Sequence, residues 1–253
     1  MDLGLAHKIV FITGGSRGIG QVAAIRFARE GARVAFSYRT DRARADDTVA
    51  AVQAEGGEAL PVWLDLADPD SIAQAVTAVQ ERWGGIDAFV ANAVQWPSSV
   101  PDFQRRFEDM PREEWRLLLE ANLGGTIASV QAVLPAMRDR GDGRIVLVSS
   151  DVARHGFQGS GGYGSVKAAL SGLTSALIAE LGGDILVNIV TPGFTVTERN
   201  LEVMPQHLRD GQAARTPTRR LSTPDDVARA IVFLGSPASG NITGDTLNVT
   251  GGN

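Results

Sequence analysis

The chain has 253 residues, of which 43% are hydrophobic and 21% charged, the balance of an ordinary soluble globule. A formal charge of -5 leaves no basic excess for a nucleic-acid partner, and the absence of cysteine excludes disulfides and thiolate chemistry and suits a reducing compartment. No basic-then-apolar leader opens the sequence and no apolar run reaches bilayer length, so a soluble cytoplasmic protein with no membrane partner is expected.

Lys8 to Ile12 is a short β-branched run that reads as a buried strand. It leads into TGGSRGIG, Thr13 to Gly20, and then into a helix with an apolar stripe of Val22, Ala23, Ile25, Phe27 and Ala28. Strand, glycine turn and helix in that order make a phosphate site. The glycines let the backbone come close to a pyrophosphate, and the free N–H groups of the helix start face its charge. The bland alternative is a simple turn between a strand and a helix.

Further strands are expected at Arg33 to Ser37, Ala59 to Leu64, Ile86 to Ala91, Arg144 to Val148, Ile185 to Val190 and Thr246 to Val249. Helices are expected at Arg42 to Glu55, Pro69 to Arg82, Pro111 to Met137, Gly162 to Leu181 and Pro224 to Leu234. This alternation predicts an α/β fold: a doubly wound (Rossmann) parallel sheet of about seven strands, with helices on both faces. No linker or repeat interrupts it, so residues 1–253 read as a single dinucleotide-binding domain. Two stretches, about 94–110 and 194–220, lack a clear period. Both follow carboxyl ends of strands, where open α/β sheets bind ligands, and both read as substrate loops.

YGSVK, from Tyr163 to Lys167, spaces a phenol and an ammonium four residues apart, on one face of a helix. A cation so placed is expected to pull the phenol's pKa down toward working pH and make it a general acid or base. Such a pair occurs by chance on many surface helices. Ser149 and Ser150, ending an apolar run just upstream, strengthen the functional reading.

Together TGGSRGIG at 13–20, NA at 92–93, Asn122, VSS at 148–150, YGSVK at 163–167 and PGFTVT at 192–197 resemble the short-chain dehydrogenase/reductase family, in its single-domain branch. The resemblance covers almost the whole chain. It implies that Tyr163 transfers the proton at the substrate oxygen, that Ser150 hydrogen-bonds that oxygen, and that Lys167 lowers the tyrosine pKa and holds the nicotinamide ribose. It also implies that Asn122 holds a water in a proton relay to Lys167. For the cofactor it implies Gly14, Ser16, Arg17, Gly18, Ile19 and Gly20 at the phosphates, and Asp65 and Leu66 at the adenine. Asn92 lies after the fourth strand, and Pro192, Gly193, Thr195 and Thr197 would cover the nicotinamide. One departure stands out: Val94 replaces the glycine that usually follows Asn-Ala.

NAD-preferring members of the family usually carry an acid at the end of the second strand. Here Tyr38 and Arg39 stand in its place, with Arg17 in the glycine loop, so NADPH/NADP is the expected cofactor. His7, His155 and His207 have no ligand spacing, and no metal site is expected. His155 reads as a turn residue or a pocket residue. Trp63 and Trp83 read as packing, Trp115 as an anchor between helices, and Asp225–Asp226 as part of a helix start at Thr223.

The expected activity is NADPH-dependent reduction of a carbonyl to an alcohol. The alternatives are a 3-oxoacyl-thioester reductase, an NADP-dependent alcohol dehydrogenase and a non-catalytic dinucleotide-sensing regulator. The loops supply Val94, Trp96, Pro97, Val100 and Phe103 on one side and Phe194, Leu201, Val203, Met204 and Leu208 on the other. These point to a small-molecule ketone that is bulky or polycyclic, such as an aromatic polyketide. The helix after Tyr163 is apolar on more than one face, which predicts a homotetramer or homodimer.

Overall fold

The structure, a computed structural model, describes residues 2–97 and 104–253. The strands are β1 (Ile9–Ile12), β2 (Arg33–Tyr38), β3 (Glu58–Trp63), β4 (Ala88–Ala91), β5 (Gly143–Val148), β6 (Ile185–Pro192) and β7 (Thr246–Val249). They form one parallel seven-stranded sheet in the order β3-β2-β1-β4-β5-β6-β7. The order reverses between β1 and β4, so a crevice opens there beyond the carboxyl ends of the strands.

Alternation along the strands splits the core in two. In β1, Ile9 and Phe11 join one apolar cluster while Val10 and Ile12 join the other. The first cluster is roofed by α3 (Pro69–Trp83), α5 (Gly125–Arg140) and α7 (Gly161–Leu181). The second is roofed by α1 (Gly18–Arg29), α2 (Arg42–Ala54) and α10 (Pro224–Leu234). A sheet covered on both faces can be apolar along its whole length, and β1, β4 and β6 are buried throughout. The expected doubly wound fold is the observed one.

Local chemistry sets the helix starts. Asp41 accepts from the Arg44 amide at 3.0 Å and opens α2, and Asp68 with Pro69 opens α3. Thr223 and Asp226 close a capping box at α10, as the acidic pair there suggested.

Three expectations on the elements need correcting. The long helix from Pro111 is not regular: α4 (Arg112–Leu117) runs into a π-helical segment, Leu118–Gly124, before α5. The 29-residue run Arg112–Arg140 is long and apolar enough to cross a bilayer, but Val130, Val133, Ala136 and Met137 go into the core. The stretch 194–220 is not irregular: it contains α8 (Glu198–Val203) and α9 (Gln206–Arg215). Arg209 holds the two together by donating to the Leu201 and Met204 carbonyls at 2.9 and 2.8 Å, which satisfies the end of α8. Helices of six and ten residues are too short to print a clear period. A further short helix, α6 (Val152–His155), follows the serine motif.

Candidate active site

The glycine loop is built for close approach. Gly14 takes a φ of +70°, and a Cβ there would stand 2.9 Å from the Ala93 Cα. At Gly20 a Cβ would meet the Gly14 carbonyl oxygen at 2.2 Å. These contacts press the start of α1 onto the loop, and Arg17, its N-cap residue, makes no side-chain cap bond. The first N–H groups of α1 therefore remain available to an anion.

Asn92 braces this loop instead of reaching across it. Its amide donates to the carbonyls of Thr13 and Gly14 at 3.1 and 3.0 Å, and the Thr13 hydroxyl accepts from the Asn92 and Ala93 amides.

A cleft of about 570 Å³ lies above the loop, a volume within the usual range for ligand sites. Among the residues singled out from sequence, Gly14, Ser16, Arg17, Gly18, Ile19, Tyr38, Arg39, Leu66, Asn92, Val94, Trp96, Pro97 and Thr197 line it. Asp65 does not line it: its carboxylate accepts from the Ala67 amide and lies 3.9 Å from the Arg39 guanidinium. Pro192, Gly193 and Thr195 also stay out of the lining. The Pro192 carbonyl takes the Asp151 amide, Gly193 donates to Val249, and the Thr195 hydroxyl is spent on the Gly193 carbonyl. They anchor the base of the α8–α9 segment, and Thr197 alone of that group reaches the cleft.

Sequence reasoning missed Arg44, Glu198, Gln95 and Arg199, all of which line the cleft. Arg44 in α2 pairs with Glu198 in α8, so an ion pair joins the two walls. Arg42 and Arg44 stand in the first turn of a helix that has no acidic residue there. Cations in a first turn oppose the helix dipole, a readable sign that this end awaits an anion. Gln95 Oε1 is buried without a hydrogen-bond partner among the described residues, an acceptor suited to a ribose hydroxyl. A dinucleotide fits this set of groups: free helix N–H groups, several guanidiniums and one waiting acceptor.

The catalytic candidates converge where β5 and α7 meet. Tyr163 and Lys167 stand in the first two turns of α7, and Ser150 lies just beyond β5. The Ser150 hydroxyl is near enough to the Tyr163 phenol to favour its ionised form. Ser149 faces the other way and donates to the Lys167 carbonyl at 3.0 Å, tying β5 to α7. The Lys167 side chain is 4% exposed; its Nζ donates to the Val148 carbonyl at 2.7 Å and lies 5.8 Å from the Tyr163 ring centroid.

The electrostatics correct the expected tuning. Tyr163 is not pulled down by Lys167: burial pushes the phenol up to about 12, with the Ser150 hydroxyl opposing. Burial also pulls the Lys167 ammonium down to about 8. The Val148 carbonyl takes the ammonium, and burial sets the direction of both shifts.

Asn122 is buried in the π-helical segment. Its Oδ1 accepts from the Gln95 amide at 2.7 Å and its Nδ2 donates to the Gln95 carbonyl at 2.9 Å. Gln95 thus takes one bond at each end of the amide, and the Asn122 side chain fixes the loop after β4. Next to that clamp, Trp96 lies on Tyr163 with ring centroids 4.6 Å apart at 33°. The Arg199 guanidinium lies over the same indole, 5.4 Å from its centroid.

The outer loops differ from expectation. Val100 and Phe103 lie outside the described residues. Leu201 and Leu208 are nearly half exposed, and Phe194, Val203 and Met204 do not line the cleft. Trp63, expected in the packing, is 48% exposed and donates its indole N–H to the Arg39 carbonyl, whereas Trp83 does pack on the core. Trp115 is partly exposed beside Gly162 of α7, and His155 is an exposed residue of α6 whose ring lies 2.8 Å from the Asp151 carboxylate. No group of acids and histidines able to hold a metal occurs among the described residues.

A family model described as Enoyl-(Acyl carrier protein) reductase matches residues 14–253. The chain is 37% identical to the short-chain reductase protein NovJ of Streptomyces niveus, over 97% of this chain and 94% of that one. It is 33% identical to the 3-oxoacyl-[acyl-carrier-protein] reductase FabG of Thermotoga maritima, over 98% of each. Among solved structures it matches a Serratia marcescens short-chain dehydrogenase/reductase double mutant at a TM-score of 0.89 and 33% identity, covering 98% of both chains.

Proposed function

The chain belongs to the short-chain dehydrogenase/reductase family, and from that membership we propose an NADPH-dependent ketoreductase acting on a bulky or polycyclic aromatic ketone of the polyketide kind. We place it in the cytoplasm as a homotetramer or homodimer, with residues 1–253 forming one dinucleotide-binding domain. The observation that carries the activity is the Ser150–Tyr163 hydroxyl pair beside a cleft rich in guanidiniums.

When bound, the dinucleotide supplies the hydride. The protein's own groups do the rest. Ser150 and Tyr163 present two hydroxyls to one carbonyl oxygen, where negative charge builds as the carbonyl is reduced. A phenol held near 12 stays protonated at neutral pH, which is the state a proton donor needs. Lys167, fixed at the Val148 carbonyl, keeps two further N–H donors for a ribose hydroxyl and for the proton that replaces the one Tyr163 gives away. Asn122 holds Gln95 in place, and Gln95 offers its buried Oε1 to the cofactor.

The preference for NADPH is supported by Arg17, Arg39 and Arg44 around the cleft and by the absence of an acid at Tyr38. Arg44 pairs with Glu198, and the same guanidinium would suit a phosphate. The exposed Leu247 on edge strand β7 and the apolar length of α7 support self-association.

A second reading, reduction of a carrier-bound 3-oxoacyl thioester, has its own support. Lysines are scarce in the loops only because Lys8 and Lys167 are the chain's two lysines; the loops do carry Arg105, Arg106, Arg199 and Arg209. The deciding measurement is kcat/KM with NADPH for a tricyclic or tetracyclic quinone-ketone against an acetoacetyl thioester. Faster turnover of the thioester replaces the polycyclic assignment with the second reading. Consumption with neither, across a ketone panel, removes both.

A further inference from the structure

Three features of the molecule lie outside this catalytic scheme. Asp87, Lys8 and Arg140 line a second cavity at the opposite end of the sheet. Asp87 accepts from the Ile9 amide at 2.7 Å and from Arg140 at 2.8 Å, and Lys8 pairs with Asp87 and with Asp142, so the charges balance in a framework role. The exposed Phe107 packs on Gly161. The third feature is the indole of Trp96, which covers the group that must meet the substrate.

We infer that Trp96 determines specificity: its indole shields the Tyr163 phenol, rotates aside for the substrate, and offers its face to a flat conjugated ring fused to the reacting carbonyl. The inference rests on Tyr163 as the proton donor and names a substrate feature that the catalytic set alone does not. The indole and the phenol ring are 4.6 Å apart, within stacking range. A substrate ring that is to lie against the phenol has to take the place the indole fills. The backbone just before Trp96 is held by both arms of the Asn122 amide at Gln95, so displacement falls to the Trp96 side chain.

Arg199 gives the displaced ring a second anchor. Its guanidinium lies 5.4 Å from the indole centroid, and the attraction of a cation for an aromatic face persists when the indole turns. A planar aromatic ketone would replace the Tyr163 contact with a new ring contact. A small saturated ketone would displace the indole and return nothing. Discrimination should therefore be about two- to tenfold, the worth of one aromatic pair.

The test uses the intact protein and two readouts. The first is the ratio of kcat/KM for 1-tetralone to that for cyclohexanone with NADPH, in wild type, Trp96→Phe and Trp96→Leu. The second is the affinity of 1-naphthol for the NADP-loaded protein by calorimetry, which needs no turnover. The ratio should fall about two- to tenfold in Trp96→Leu and recover in Trp96→Phe, with naphthol affinity moving in parallel. An unchanged ratio in Trp96→Leu, or Trp96→Phe behaving like Trp96→Leu, overturns the inference. Naphthol binding that depends on Trp96 in a protein reducing no ketone removes the reductase reading, and with it the specificity role, and leaves Trp96 as a ring-binding residue only. Ketone reduction with naphthol binding indifferent to Trp96 keeps the reductase reading and overturns the inference.

Discussion

The cofactor side and the substrate side of the cleft are held by different kinds of bond. On the cofactor side, the glycine loop is fixed by close backbone contacts and by the Asn92 brace from the neighbouring strand end. On the substrate side, Trp96, Tyr163 and Arg199 come from three distant segments and meet through side-chain faces. The first kind tolerates almost no change of residue. The second can be repacked while the acid–base pair is kept, which is where relatives on one scaffold are free to differ in substrate.

The largest expected contrast is on the cofactor side. NADPH should exceed NADH in kcat/KM by about 10²–10⁴, given ~1.5–3 kcal/mol for each hydrogen bond to a charged group. Arg39→Asp should shrink or reverse this ratio without lowering the intrinsic ketone preference. Equal kinetics with both cofactors in wild type would show that the guanidiniums do not serve a 2′-phosphate.

Gly20→Ala should come next. Its Cβ would lie 2.2 Å from the Gly14 carbonyl oxygen and 2.6 Å from the Asn92 amide nitrogen, so backbone has to move. A loss of about 1–3 kcal/mol, read both as weaker NADPH binding and as a lower urea midpoint, is expected. An alanine accepted with no change in either would mean that the loop is looser than its contacts imply.

The smallest effect is a pH dependence shared by both sides. Lys167 has its folded pKa lowered to about 8, so between about pH 8 and 10.5 the unfolded chain binds a proton that the folded chain has released. Stability then rises with pH across that window, and the full cost of burying the ammonium is present below it. Tyr163, raised to about 12, works the other way above pH 10. Relative to Lys167→Met, wild type should gain on the order of 2 kcal/mol from pH 7 to pH 9.5 by urea denaturation. A difference independent of pH would place the ammonium in better-solvated surroundings.

The same division explains what the sequence disclosed. The seven strands, the two-sided core and the glycine loop were legible because alternation and turn chemistry are local, as Ile9–Ile12 followed by TGGSRGIG illustrates. Tyr163, Lys167 and Ser150 were legible as a spacing, but the direction of the Tyr163 shift was not, since it depends on what buries the phenol. The side-chain partner of Asn122 was not legible: Gln95 lies 27 positions away. The pairings of Trp96 with Tyr163 and of Arg44 with Glu198 depend on how distant segments dock, which no local pattern encodes. The helices α8 and α9 were missed because each is too short to show a stripe.

The most direct test of the proton-donor role is Tyr163→Phe, read by NADPH consumption with a ketone that wild type reduces and by NADPH titration of the same preparation. Turnover should fall by about 10²–10⁴, the usual cost of losing a positioned acid, while NADPH affinity stays nearly unchanged. A variant that keeps more than about a tenth of wild-type activity would contradict the role assigned to the Ser150–Tyr163 pair.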